Sequence, residues 1–364
     1  MAGAAPLDEL ESFPSTHRRV SATLSRPYPP SWVNVFTAWI AALPVPAALV
    51  YLVIGAVMVV SANAQNWIAG SEPFPNLTLE LSYWGALAAA LLALIPYLDR
   101  VAVSSLESFR PALEGADMDF DALEYELTVI PGRPALVVTG LAVAAVLSGF
   151  VSNPGGSGVA GLPLVALVLV AAGWSLVVSM IFLLMYHTLR QLRAVVRIHT
   201  MAPRVNLFRP APLYAFSQLT VRTGIAFVLI VSTTVLLDAS NLEARPLVIT
   251  VPFLVGGITV ATAAFVVPLL GMHRRLTAEK KDLEWQVGQR LEGAIAEVHR
   301  AADAHDLSQA DGLSKQLTSL IAERDVVAKL PTWPWHPGTV GVFLTAIVLP
   351  VGLYVVTRLL QRFV

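Results

Sequence analysis

Apolar runs long enough to cross a bilayer, separated by clusters of charge, constrain this chain more than anything else in it. They fall at about 35–60, 83–98, 135–151, 162–186, 224–237, 246–270 and 339–360. A hydrocarbon core about 30 Å thick asks for about twenty consecutive apolar residues in a helix, and in lipid only helices and closed barrels satisfy every backbone polar group. Runs of about twenty residues are the signature of crossing helices, so the chain reads as all-α: a polytopic membrane protein with seven transmembrane helices and a cytoplasmic helical hairpin. Only 13% of residues are charged, against about 25% in soluble domains. The run at 224–237 is short for a crossing. Pro44 and Pro46 sit inside the first run, Pro252 and Pro268 in the sixth, and Pro350 at the middle of the seventh.

Basic residues set the orientation, because short cytoplasmic loops collect Lys and Arg. With the N-terminus inside, 21 of the 24 basic residues fall on the cytoplasmic side, leaving Arg245, Arg358 and Arg362 outside. The chain then divides into a cytoplasmic tail at 1–33, a six-helix membrane domain at 34–270 with cytoplasmic loops at 99–134 and 188–223, a cytoplasmic helical hairpin at 271–337, and a seventh transmembrane helix with an external C-terminus at 338–364. Residues 1–31 are polar, rich in proline, and lack a signal-peptide pattern. Twenty arginines to four lysines, with much Ala, Val and Leu, suggest a bacterial chain and its inner (plasma) membrane.

The cytoplasmic segments hold most of the patterned polarity. Arg190, Arg193 and Arg197 lie three to four apart, one basic helical face, and Asp117, Asp119, Asp121, Glu124 and Glu126 form an acidic stretch. The two can pair across loops or remain solvated, the basic face near anionic lipid. Phe109-Arg110-Pro111-Ala112 recurs as Phe208-Arg209-Pro210-Ala211, a reading that puts an aromatic at the interface and a snorkelling arginine beside it. In the hairpin, Leu276, Leu283, Val287, Leu291 and Ile295 make one apolar stripe, and Leu313, Leu317 and Leu320 begin a second, stopped by Pro331. A polar turn joins them, so an antiparallel pair is expected, and the stripes are candidate anchors between subunits. Trp333, Pro334 and Trp335 form a candidate elbow between hairpin and last helix, where prolines forbid regular helix.

Little chemistry is visible. Without cysteine there is no disulfide and no thiolate metal site. Asp303, His305 and Asp306 sit in a turn without recognised metal spacing, and the glycines at 155–158 follow no strand, so they make no nucleotide cradle. No catalytic residue, cofactor, metal or nucleic-acid partner is expected, and no small-molecule ligand can be named. By these boundaries no titratable residue lies in the middle third of a run, which argues against ion-coupled transport. Hydroxyls and prolines remain. In the last run Thr345 can line a pore, and Pro350 removes one backbone bond and offers a hinge.

The stretch from Pro212 to Thr220, His273-Arg274-Arg275-Leu276 with Glu279-Lys280, and Trp333-Pro334-Trp335 resembles a family of uncharacterised bacterial integral membrane proteins. The topology is also similar to the seven-helix ion-channel superfamily of insect odorant and gustatory receptors. That resemblance implies a homo-oligomer, a tetramer, with cytoplasmic helix extensions as the anchor and the last helix lining the pore. It adds Tyr354 and Gln361 to Thr345 and Pro350 as candidate pore or gate residues. The expected function is therefore a homo-oligomeric ion channel in the lipid bilayer. The alternatives are a membrane scaffold or sensor that docks a soluble partner, and a transporter of an apolar solute.

Overall fold

The structure is a computed structural model that describes residues 27–113, 119–155, 158–201, 207–208, 212–239, 247–305, 310–335 and 338–360. Regular elements among these are helices: α1 (Trp32–Ala41), α2 (Ala47–Ala69), α3 (Leu79–Phe109), α4 (Phe120–Thr128), α5 (Gly132–Ser152), α6 (Leu164–Met201), α7 (Ser217–Ala239), α8 (Leu247–Asp303), α9 (Ala310–Ala328) and α10 (Thr339–Leu360). Among the described residues, six helices are long and apolar enough to cross a membrane: those carrying α2, α3, α5, α6, α7 and the first part of α8. The chain is an integral membrane protein. The tail at 1–26 lies outside the described residues.

Several boundaries differ from the sequence reading. The first apolar run is not one helix. α1 ends at Ala41, and α2 starts only after Pro46, because two prolines within three residues remove two N–H donors and forbid a continuous ladder. The run at 224–237 is not short: α7 has 23 residues and starts at Ser217. Its early turns carry Arg222, whose guanidinium lies 5.8 Å from the Tyr97 ring centroid, so the charge ends the hydropathy signal without ending the helix.

α3 and α7 are central and α2 and α5 peripheral. The apolar stretches of α3 and α7 are 50% and 56% buried, those of α2 and α5 only 6% and 11%. The unburied apolar face of α2 and α5 suits lipid, which has no preference for polar surface. α2 runs against α3 at close range. A Cβ on Gly85 would stand 2.7 Å from the Met58 carbonyl oxygen, so only glycine fits that crossing. Asn63, buried on α2, bonds the Thr78 backbone N–H (2.7 Å) and Ser82 (3.1 Å), tying the two helices near the 70–78 connection.

α3, α6 and α8 continue well past the apolar runs. Their extensions form a second core with α4 and the segment near Phe216: Leu106, Phe109, Leu127, Val195, Ile198, Leu213, Met272 and Leu276 are all buried there. The segments expected as loops at 99–134 and 188–223 are thus largely structural. Phe109 is buried at the centre of this core, whereas Phe208 is exposed. The recurring four-residue motif therefore has no shared interfacial role in its aromatic residue; Arg209, Pro210 and Ala211 lie outside the described residues.

Candidate functional site

A cluster of buried polar groups forms where α3, α6 and α4 meet. Asp99 on α3 and His187 on α6 pair at 2.6 Å (Oδ1 to Nε2). The His187 ring is 1% exposed and the Asp99 side chain 14%. Gln191, one turn after His187, donates from Nε2 to the Leu127 carbonyl at 3.0 Å and reaches Asp99 Oδ1 at 3.3 Å. A buried carboxylate is tolerated when its partner and hydrogen bonds replace water. His187 Nδ1 and Gln191 Oε1 have no partner among the described residues, so the cluster has unused capacity for a water or a ligand.

Around this pair the chain before α1 is fixed to the α4–α5 hinge. Arg190 donates to the Val129 carbonyl and the Tyr28 hydroxyl. Tyr125 donates to the Tyr28 carbonyl at 2.7 Å. Asn34 bridges the hinge, receiving the Ile130 N–H at 2.9 Å and donating to the Thr128 carbonyl at 3.2 Å. Burial pushes the Tyr28 phenol above its usual range, while the adjacent Arg190 charge pulls it down. The acidic and basic stretches do meet: Arg197 pairs with Glu126.

A cleft of about 890 Å³ opens beside Asp99, between the α1–α2 break, α3 and α4. Tyr51, Arg100, Glu107, Glu124 and Tyr125 line it. Ala38 and Ala41 of α1 and Ala47 and Tyr51 of α2 line it from either side of the break at Pro44–Pro46. The arrangement can hold a cationic or zwitterionic group between Glu107, Glu124 and Arg100. No group of three or more His, Asp or Glu that could hold a metal is present among the described residues.

The residues singled out in the sequence are elsewhere. Trp333 and Trp335 stack on one another, centroids 4.3 Å apart and planes at 7°. Trp333 also stacks on His273 of α8 at 3.9 Å, and Trp335 on Phe265 of α8 at 5.8 Å. Phe265 meets Phe343 of α10 at 4.6 Å. Pro334, between the two tryptophans in sequence, is buried. His273 Nδ1 bonds the Thr332 carbonyl at 2.9 Å. The elbow is therefore an aromatic ladder joining α8 to α10, and its indoles lean on protein.

The two hairpin stripes face one another along α8 and α9. Leu276, Val287 and Leu320 are buried; Leu283, Leu291, Leu313 and Leu317 are half-buried; Ile295 is exposed at the far end. Leu276 and Leu283 join the core beneath the membrane bundle. Most of the stripe is thus used within the chain. Lys280 donates to the carbonyls of Ala328 (2.6 Å) and Leu330 (3.0 Å), closing the end of α9.

On α10 the pore candidates do not share a face. Tyr354 is buried against Val231 and Val235 of α7. Thr345 is exposed, and its hydroxyl donates back to Gly341 at 2.9 Å. Nine residues separate them, about two and a half turns, which puts them on opposite sides of the helix. Pro350 falls mid-helix, and Gln361 lies outside the described residues.

No family model, curated protein or solved structure matches the chain.

The sequence reading missed Asp99, His187 and Gln191. Asp99 and His187 follow directly on the last residues assigned to the second and fourth runs, so each counted as a solvated cytoplasmic position. The available signal was His187 and Gln191 four apart on one helical face, a spacing that puts two polar groups at one level.

Proposed function

We propose that this chain crosses the membrane seven times, with α10 as the seventh crossing, and that it acts as an ion channel in a homo-oligomer. One observation carries the reading: the continuous aromatic contact from His273 through Trp333, Trp335 and Phe265 to Phe343. Any tilt of the α8–α9 hairpin is passed to α10 through stacked rings, where a flexible linker would absorb it. α10 has 22 residues, about 33 Å at 1.5 Å per residue, enough to cross. It packs chiefly on α7, where Gly224 makes room for Phe343. Val342, Leu344, Val348, Val355 and Val356 remain exposed around the rest of it. A helix held on one side and free on the other is placed to meet its copies around an axis, and an apolar lining gates by dewetting. Thr345, on the free side, is the pore residue of this arrangement; Tyr354 is not.

Single-channel recording of purified protein in planar bilayers tests this. Conductance is expected, with Trp335→Ala changing open probability at unchanged unitary conductance. Silence under voltage, tension and pH steps sinks the reading. A second reading, transport coupled to a proton, is favoured by the buried Asp99–His187 pair beside an open cleft. Proton flux into liposomes without unitary currents, abolished by Asp99→Asn, would select it.

A further inference from the structure

A second cavity lies between α6, α7 and α8, about 460 Å³ in volume and open to the side of the bundle. We propose that it binds one anionic phospholipid of the cytoplasmic leaflet. The proposal uses the membrane orientation drawn from the basic residues and does not depend on conduction. The volume is within the range of small-molecule sites and suits a single acyl chain.

Its walls are ordered as a lipid is ordered. Arg193 stands at one end of the cavity, exposed and without an ion-pair partner among the described residues, whereas Arg190 and Arg197 on the same face are engaged with Tyr28 and Glu126. Thr188 comes next, five residues back along α6 and about 7.5 Å deeper. Phe227 of α7 and Val260 of α8 follow in the apolar part. A phosphate at Arg193, an ester carbonyl at Thr188 and an acyl chain along Phe227 and Val260 reproduce the order of groups in a phospholipid. Basic pockets between membrane helices on the cytoplasmic side select anionic headgroups in this way.

The Thr188 hydroxyl is the independent observation. Thr188 is 3% exposed, and its Oγ1 has no partner among the described residues. The hydroxyls of Thr234, Thr259, Thr262, Thr277 and Thr345 all donate to the carbonyl four residues back, the usual way a helix threonine is satisfied. Thr188 is not, and it faces the cavity. A buried donor without an acceptor is costly in a membrane, and a lipid ester supplies one. Pro268, also in the wall, has no N–H to give to the carbonyl of Ala264 beside it.

The test is native mass spectrometry of the full chain from micelles containing phosphatidylglycerol or phosphatidylcholine. One phosphatidylglycerol retained per chain is expected, in preference to phosphatidylcholine. Arg193→Gln should weaken phosphatidylglycerol about fivefold and leave phosphatidylcholine unchanged. Thr188→Val should weaken both lipids alike, and Ala263→Phe, which fills the cavity, should abolish retention at an unchanged melting temperature in lipid-free detergent. Equal retention of the two lipids, or an unaffected Arg193→Gln, overturns the proposal. So does displacement by inorganic phosphate, which would mean an anion site without a chain. The protein has no cysteine, so Ala263→Cys also reports a rival occupant: disulfide formation between two copies in the membrane would mean that the groove is a subunit seam.

Discussion

At the residue scale, the pair Asp99–His187 sets the strongest expectation. With one partner gone, the other is left charged or unsatisfied in a site from which water is nearly excluded, and such losses cost about 3–5 kcal/mol. His187→Ala should therefore lower the melting temperature in detergent markedly, and Asp99→Asn should do so less, because an amide still accepts from the ring. The double variant should fall well short of the sum of the singles; a double-mutant cycle with no coupling would refute the pairing. Tyr354 predicts the opposite outcome. Its hydroxyl is buried without a partner among the described residues, so removing that hydroxyl relieves a desolvation cost. Tyr354→Phe should be neutral or stabilising by up to about 1 kcal/mol in the same melts, and channel currents should not change, since the side chain faces α7. The reason these three residues were hard to weigh beforehand is geometric. Asp99 and His187 are 88 positions apart, and nothing local in either neighbourhood announces the other. Tyr354 was placed on a pore by likeness of topology, and only the packing of α10 on Val231 and Val235 decides its side.

At the scale of elements, hydropathy located the helices and misplaced their ends. Apolar length follows from bilayer thickness, so the centres of α3, α5, α6 and α8 were legible. Their ends were not, because a helix does not stop where lipid stops. α3 continues to Phe109 and α6 to Met201, carried by burial of Phe109, Ile198 and Phe216 in the core below the bundle. Rings of Phe109, His199 and Phe216 meet mutually at 5.3–5.4 Å, a contact among three segments that no periodicity in one segment can show. The hairpin was legible because both of its stripes are local and periodic. What the stripe could not reveal is that its first members, Leu276 and Leu283, join the core beneath the bundle and that Lys280 closes the joint to α9. Each bond from Lys280 to the free carbonyls at the end of α9 satisfies a group the helix leaves open, and charge-assisted bonds are worth about 1.5–3 kcal/mol. Lys280→Met keeps the aliphatic stem and removes the donors. It should destabilise α9 by about 2 kcal/mol, seen as faster amide exchange across 320–330 with exchange in α3 unchanged. Uniform exchange across both would contradict a local latch.

At the scale of the molecule, the decisive question is on which side each connection lies, and the structure and the charge pattern can be tested together. Asp99–His187, the Arg190–Tyr28 contact, the Glu126–Arg197 pair and the α8–α9 hairpin all gather at one end of the bundle. The connection at 70–78, with Trp67 bonded to the Asn76 carbonyl at 2.7 Å, lies at the other end of α2 and α3. Basic residues crowd the first end, which the positive-inside rule assigns to the cytoplasm. A chain without cysteine lets each position be reported alone. In intact cells a membrane-impermeant maleimide should label Ser71→Cys at once. Ser319→Cys, on the exposed face of α9, should label only after permeabilisation. A reporter fused beyond Val364 should read as external if α10 crosses, and as internal if α10 returns on the side it left. The three sites separate the two claims that matter: the first two fix which end of the bundle is inside, and the third alone decides whether the hairpin is coupled to a helix that spans. External labelling of Ser319→Cys would reverse the orientation and remove the cytoplasmic-leaflet lipid site with it. An internal reporter with the other two unchanged would leave that site intact and leave α10 unable to line a pore.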